Sequence, residues 1–218
     1  KVRFGTDNAM LVVVSNSYRD DVLPTSTDMN LYGGIYREAE LILTERTAIS
    51  PLYLGSEGVL VRQQSVTPEK AEGEVEVHIT SKGDNSCMLN VAITGPDGTR
   101  TYTKRQRAKL DGKPVVVPFT IENPALWSPD RPALYTVTTT IGDEAVTDSV
   151  TVRTGFRTIA ASTADGLTIN GVRVPVHGVA LYHDNALSGG TLTPQDYDAD
   201  LHQIRTLGAN ALRSAVMP

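Results

Sequence analysis

A single cysteine, Cys87, stands in 218 residues. That excludes an intrachain disulfide and any zinc site built on paired cysteines. Long apolar runs are also missing. The longest clear one, Met10 to Val14, is strand-sized and far short of the ~20 residues of a membrane helix, so no membrane span is expected. There is no basic excess: 20 Lys and Arg against 25 Asp and Glu give a net charge of -5, which argues against a nucleic-acid partner. Repeats, low-complexity tracts and Gly/Ser-rich linkers are not seen. The chain starts at Lys1 without the charged start, apolar stretch and cleavage site of a secretory leader. It is read as a mature or trimmed product, and its compartment is left unknown.

What is there is ordinary globular composition, 40% hydrophobic and 21% charged, with length for one to two domains. Most of it has strand periodicity. Asn8 to Ser15 reads as a compact apolar strand, and a second strand follows Gly33-Gly34, marked by Ile35, Ala39, Leu41 and Leu43. From about Gly58 to Arg153 seven strand-like runs follow: 59–66, 73–80, 86–94, 99–110, 114–121, 134–141 and 145–153. Val75, Val77 and Ile79 alternate with Glu74, Glu76 and His78, which is the mark of a half-buried strand. Gly95-Pro96-Asp97-Gly98 is a turn in which Pro sets φ and Gly supplies positive φ. Seven short strands at this spacing suggest an immunoglobulin-like sandwich whose core packing replaces the usual disulfide.

The period changes after Arg153. Leu167 to Ile169 leads into an Asn170-Gly171 turn, and Val172, Val174 and Val176 alternate up to Gly178-Val179-Ala180-Leu181. One helix follows. Thr193 caps it, Pro194 takes its first position, Asp196 completes a capping box, and Gly208 is its left-handed stop. Tyr197, Leu201, Ile204 and Leu207 form one apolar stripe. Ala209 to Ser214 reads as a strand again, so the segment is a βα unit opening a parallel sheet.

Four strings, in order, resemble family 2 glycoside hydrolases of the β-galactosidase and β-glucuronidase kind. Asp28-Met29-Asn30-Leu31-Tyr32-Gly33-Gly34-Ile35-Tyr36-Arg37-Glu38 is similar to a segment near the end of that family's sugar-binding jelly roll. Asn123-Pro124-Ala125-Leu126-Trp127-Ser128-Pro129 with Leu134-Tyr135 resembles a segment of its immunoglobulin-like domain. Gly155-Phe156-Arg157, Asn170-Gly171 and Gly178-Val179 resemble the entry to its catalytic barrel, and Leu207 to Arg213 resembles the start of the second barrel strand. The resemblance implies a mainly β chain in three pieces. Residues 1–47 would be the C-terminal part of a jelly roll, 48–155 a complete sandwich, and 156–218 the first βα unit of a (β/α)8 barrel.

The resemblance also implies the chemistry. Retaining enzymes place two carboxylates about 5–5.5 Å apart, one as nucleophile and one as acid/base, at the C-terminal ends of barrel strands. In the family both are glutamates beyond the segment present here. The chain is therefore expected to be inactive alone, with no catalytic residue and no cofactor or metal, and its parent to hydrolyse β-glycosides, most readily β-galactosides. By resemblance the substrate is a β-linked carbohydrate, and a periplasmic or secreted setting is plausible. Substrate contacts would come from Asp184, which matches a family acid; from Tyr182, standing where a His is common; from His183, in a shifted register; and from Arg213, beside the nucleophile. The plainer alternative is that Asp184 and Asn185 cap a loop and Arg213 makes a structural ion pair. Val216 replaces a family His that contacts sugar.

Other residues read as structural. His78 is expected to face solvent, His177 to lie in or beside a strand, and His202 on the polar side of the helix. Lys104, Arg105, Arg107 and Lys109 read as a solvated sheet face, and Trp127 as a pin at a strand corner rather than a sugar platform. A non-catalytic module binding carbohydrate or protein is the competing reading; the βα unit argues against it. Open sheet edges predict self-association, including a homo-oligomer, or disordered ends.

Overall fold

A computed structural model describes residues 3–22 and 32–214. The chain divides into two compact units, one of residues 42–175 and one of residues up to 41 together with those from 176 onward. Asp28 to Leu31 of the first family-like string, and Val216, lie outside the described residues.

The 42–175 unit is all β among its described elements: β1 (Thr47–Ile49), β2 (Val59–Val66), β3 (Lys70–Val77), β4 (Ile79–Ser81), β5 (Ser86–Thr94), β6 (Arg100–Lys109), β7 (Val115–Glu122), β8 (Tyr135–Ile141), β9 (Asp148–Thr154), β10 (Ile159–Ser162), β11 (Gly166–Ile169) and β12 (Val172–Arg173). Six of the seven expected runs are matched by single strands, two of them, 59–66 and 86–94, to the residue; the run 73–80 is broken at His78 into β3 and β4, which belong to different sheets. Antiparallel sheets run β2-β3-β7 and β6-β5-β8-β9, with smaller sheets β1-β4 and β10-β11-β12.

Alternation drives this arrangement. In β8, Tyr135, Val137, Thr139 and Ile141 are buried while the threonines between them are half-exposed. Val75, Val77, Val117, Phe119 and Ile121 from one sheet join Leu89, Val91, Ile93, Val137 and Ile141 from the other in one core. Phe156, fully buried, sits 4.7 Å from the Tyr135 ring and 5.8 Å from Phe119. Cys87 is buried in this core, and desolvation raises its thiol pKa. Thr139 is buried there too, and its hydroxyl has no hydrogen-bond partner among the described residues.

The two main sheets present different outer faces. On the three-stranded sheet, Glu72, Glu74 and Glu76 of β3 point away from the core, opposite Thr120, Pro118 and Val116 of β7. On the four-stranded sheet, cross-strand rows read Arg100–Thr94–Thr136–Arg153, Thr103–Ala92–Thr138–Thr151 and Arg105–Asn90–Thr140–Ser149. Arg105, Arg107 and Lys109 are exposed, as expected of a solvated sheet face, and lie on the edge strand β6. Charges on an edge deter pairing with another chain.

His78 departs from the expectation. It lies between β3 and β4, stacks on Tyr53 at 3.4 Å, and its Nε2 is 2.6 Å from Glu76. Glu76 also accepts from Arg62 Nε at 2.6 Å. Arg62 first, then His78, holds the Glu76 carboxyl below its ordinary pKa against desolvation.

The family-like strings at 123–129 and 155–157 meet. Trp127 N donates to Phe156 O at 2.8 Å, Arg157 lies over the Trp127 ring at 4.4 Å, and a Cβ on Gly155 would come within 2.8 Å of that ring. Trp127 is therefore packed at a corner rather than offered as a platform. Gln63, at a bulge of β2, donates from Nε2 to Gly155 O and accepts at Oε1 from Arg157 N.

The other unit contains β13 (Gly178–Leu181), α1 (Pro194–Thr206) and β14 (Ala211–Ser214). Strands β13 and β14 pair in parallel, Gly178 opposite Ala211 and Leu181 opposite Ser214. The helix has the predicted start, with a Thr193–Asp196 capping box and Pro at its first turn, and Gly208 follows at φ +78°. Its apolar stripe is not buried: Leu201 is 42% exposed, and no residue of the helix is buried. The expected strands at 8–15 and 35–43 are not formed either. Those residues pair with no described strand, and an extended segment becomes a strand only when its backbone groups find a partner.

Candidate functional site

The parallel pairing of β13 and β14 places their C-terminal ends side by side. In sheets of this kind ligands meet the carboxyl ends of the strands. Tyr182, His183 and Asp184 follow directly on β13, and Arg213 is the penultimate residue of β14, opposite Ala180. All four anticipated residues thus lie at one edge of this small sheet.

Their surroundings differ. Tyr182 is 53% exposed. His183 is half-buried and turned to the helix: its Nδ1 is 3.0 Å from the Tyr197 hydroxyl, with the rings edge-on at 5.8 Å. Its Nε2 is buried and has no hydrogen-bond partner among the described residues. The sequence called Tyr197 part of an apolar stripe; its hydroxyl instead fixes the imidazole. Asp184 is half-buried and accepts at Oδ1 from the Tyr32 hydroxyl at 2.8 Å. Arg213 is exposed and makes no ion pair among the described residues.

The loop after Asp184 explains how the carboxylate is presented. Asn185 Oδ1 accepts from Leu187 N, Ser188 N and Ser188 Oγ, at 2.9, 2.7 and 2.9 Å. Asn185 and Gly189 also bridge through their backbones. Loop capping, the plainer role considered for both residues, therefore falls to Asn185, while Asp184 turns to Tyr32. Gly189, at φ +55°, and Gly190 let the loop lie against Tyr32; a Cβ on Gly189 would approach its hydroxyl oxygen to 2.8 Å, and one on Gly190 its ring to 2.9 Å. Tyr36 is 5.6 Å from Tyr32, ring to ring, with the Arg37 guanidinium 5.6 Å from the Tyr36 ring. Tyr32 was not singled out in the sequence as a site residue. It is 152 positions from Asp184, and no local pattern links the two; the doubled glycine at 189–190 was the available hint.

Chemically, the edge offers a carboxylate oriented by a phenol, an imidazole oriented by a second phenol, an exposed phenol and an exposed guanidinium. These are hydrogen-bonding groups suited to polar ligands. Among the described residues no three His, Cys, Asp or Glu side chains gather as a metal site, and no helix is long and apolar enough to cross a membrane.

Residues 59–157 match the family model described as Glycosyl hydrolases family 2. The chain is 34% identical over 224 aligned positions to a β-glucuronidase of Bacteroides fragilis, covering 100% of this chain and 32% of that protein. It is 27% identical to a β-galactosidase of Bacteroides ovatus, covering 85% of this chain and 22% of the other. In structure it is similar to Bacteroides uniformis β-glucuronidase 2, solved covalently bound to cyclophellitol-6-carboxylate aziridine. There the TM-score is 0.81 at 26% identity, over 94% of this chain and 25% of that one. The chain thus spans a third or less of the length of these relatives. Both enzyme names occur among them, so the β-galactosidase preference expected from the sequence is not favoured over β-glucuronidase.

Proposed function

Because the chain belongs to glycosyl hydrolases family 2, through residues 59–157, we propose that it is part of a retaining β-glycosidase. In this reading two glutamates outside the 218 residues perform the double displacement, one as nucleophile and one as acid/base. The present chain supplies one edge of the glycone pocket. Residues 1–47 belong to a jelly roll, 48–155 to an immunoglobulin-like sandwich and 156–218 to the start of a (β/α)8 barrel. Support for the sandwich is its three-plus-four strand arrangement and the Tyr135 hydroxyl accepting from Ala125 N at 2.8 Å, as at the tyrosine corner of such domains.

The observation that carries the pocket reading is Asp184, held by Tyr32 at the carboxyl edge of a parallel strand pair. A carboxylate has about four acceptor positions, and sugar hydroxyls would donate to this one. Tyr182 and His183 add contacts from the same turn. Arg213 contributes positive charge, which favours ionised carboxylates nearby. Among glycones we place β-glucuronides first, since the relative covering the whole chain at 34% identity carries that name; β-galactosides are second, on the Bacteroides ovatus relative.

The test is hydrolysis of aryl β-glucuronide, β-galactoside and β-mannoside by this chain and by the polypeptide extended to the relatives' length. The extended protein should cleave one of them and the 218-residue chain none. Asp184→Asn in the extended protein should lower kcat/KM about tenfold to a hundredfold, the worth of a hydrogen bond to a charged group. An extended protein that cleaves nothing overturns the reading.

A further inference from the structure

Charge is sorted between the two main sheets. The chain as a whole carries a net charge of -5, yet the outward positions of the four-stranded sheet hold Arg100, Arg105, Arg107, Lys109 and Arg153 and no carboxylate. The carboxylates near it sit in turns at its margin. Asp143 pairs with Arg107 at 2.7 Å and Asp111 with Lys109 at 3.3 Å. Both pairs are exposed, and exposed pairs are weak enough to be exchanged for another anion. The opposite sheet shows Glu72, Glu74, Glu76 and Glu122, with Arg62 and Lys70 paired among them, so that face is acidic on balance and the cationic face does not follow from overall composition.

Between the cations lies a flat field of short polar side chains, including Thr136, Thr138 and Thr140 of β8 and Asn90 of β5. Sheet geometry spaces these groups about 4.8 Å across strands and about 6.7 Å along them. Cations border the field on both edges, β6 on one side and Arg153 of β9 on the other.

We propose that this face binds a polyuronate, a polysaccharide chain whose sugar rings bear carboxylates. Four of the five cations are arginines, whose planar fork matches a carboxylate in bidentate fashion. The hydroxyl and amide field suits the sugar hydroxyls. A single-stranded nucleic acid would call for aromatic stacking platforms, and none of these outward positions is aromatic. Protein interfaces centre on aromatic as well as arginine anchors; this face has the arginines but no aromatic residue, and Met88 alone is a large apolar residue there. The site goes beyond the glycosidase reading, since it uses no residue of the β13–β14 edge and is read by binding, not turnover.

The experiment is titration of the 218-residue chain with fluorescent oligogalacturonate. Affinity should fall as salt rises, and Arg105→Ser with Arg107→Ser should weaken it at least about tenfold. Thr138→Val with Thr140→Val, which keeps every charge and nearly every volume, should weaken it about threefold to tenfold. The pair Glu72→Gln and Glu74→Gln, on the other sheet, should leave it unchanged. Neutral dextran, dextran sulfate, polyglutamate and a single-stranded oligonucleotide are the comparison ligands. Equal binding of any of them, or threonine variants that bind like the parent, would reduce the face to a simple ion exchanger and overturn the proposal. Loss of affinity in the glutamine pair would place the binding elsewhere and overturn it as well.

Discussion

The 42–175 unit buries a closed core, whereas in the unit of residues up to 41 and from 176 onward most described apolar side chains face solvent. Leu89, Val91, Ile93 and Val137 are 0% exposed; Leu11, Val13 and Leu187 are 86–100% exposed. The amino-acid vocabulary is the same in both. The difference is partnership: in the first unit the strands of the two main sheets are paired, and the sheets cover each other's apolar faces. The Met10–Val14 run is as apolar as β5, yet it has no described strand beside it. Apolar alternation is thus a request for a partner, and burial follows only where the chain itself supplies one.

The sharpest way to break this contrast is at Phe156. Replacing it with Ala removes the ring packed between Tyr135 and Phe119 and should cost about 3–5 kcal/mol. Leu187→Ala, at 100% exposure, should cost almost nothing. Urea denaturation of both variants measures the gap, and similar midpoints would refute it.

A gain is expected inside the same core. Thr139→Val keeps the shape and removes a buried hydroxyl that lacks a described partner, so stability should rise by about 1–3 kcal/mol. An unchanged or lower melting temperature would mean that the hydroxyl is satisfied in solution.

In the other unit the energies are local. Thr193 Oγ1 accepts from Asp196 N, while Asp196 Oδ2 accepts from Thr193 N at 2.7 Å. Thr193→Ala should therefore cost α1 about 1 kcal/mol. Faster amide exchange in 194–206, with no change in the core strands, is the expected signature.

The smallest effect is electrostatic. Because Glu76 is held below its ordinary pKa by Arg62 and His78, its contribution is present above its unfolded value of about 4.3. It is lost as pH falls through its lower folded value. Comparing wild type with Glu76→Gln between about pH 5 and pH 2 should show the wild type losing its advantage. That advantage is about 0.2–1 kcal/mol, as the Arg62 side of the pair is half in water. A constant difference across that range would contradict the assignment.

Legibility in the sequence followed the same divide. Strands β2 and β5 could be read to the residue because their alternation is met by real neighbours, and α1 could be read from its cap because capping is a local matter of three residues. The strands expected at 8–15 and 35–43 failed because pairing is not local. At the site, the turn after β13 was legible as Tyr182 to Asp184, and Arg213 as the end of the next strand. The Tyr32–Asp184 bond and the His183–Tyr197 contact were not, since each joins segments that only folding brings together. His78 was misread because a strand position says which face a side chain leaves from, not that Tyr53 will lie over it.

The Gln63 carboxamide has a mechanical consequence. It stands in for a peptide group at the bulge of β2, giving one hydrogen bond to residue 155 and taking one from residue 157. Peeling residues 155–157 away from β2 has to break both bonds of this one side chain, so it works as a clasp at that point of the 42–175 unit.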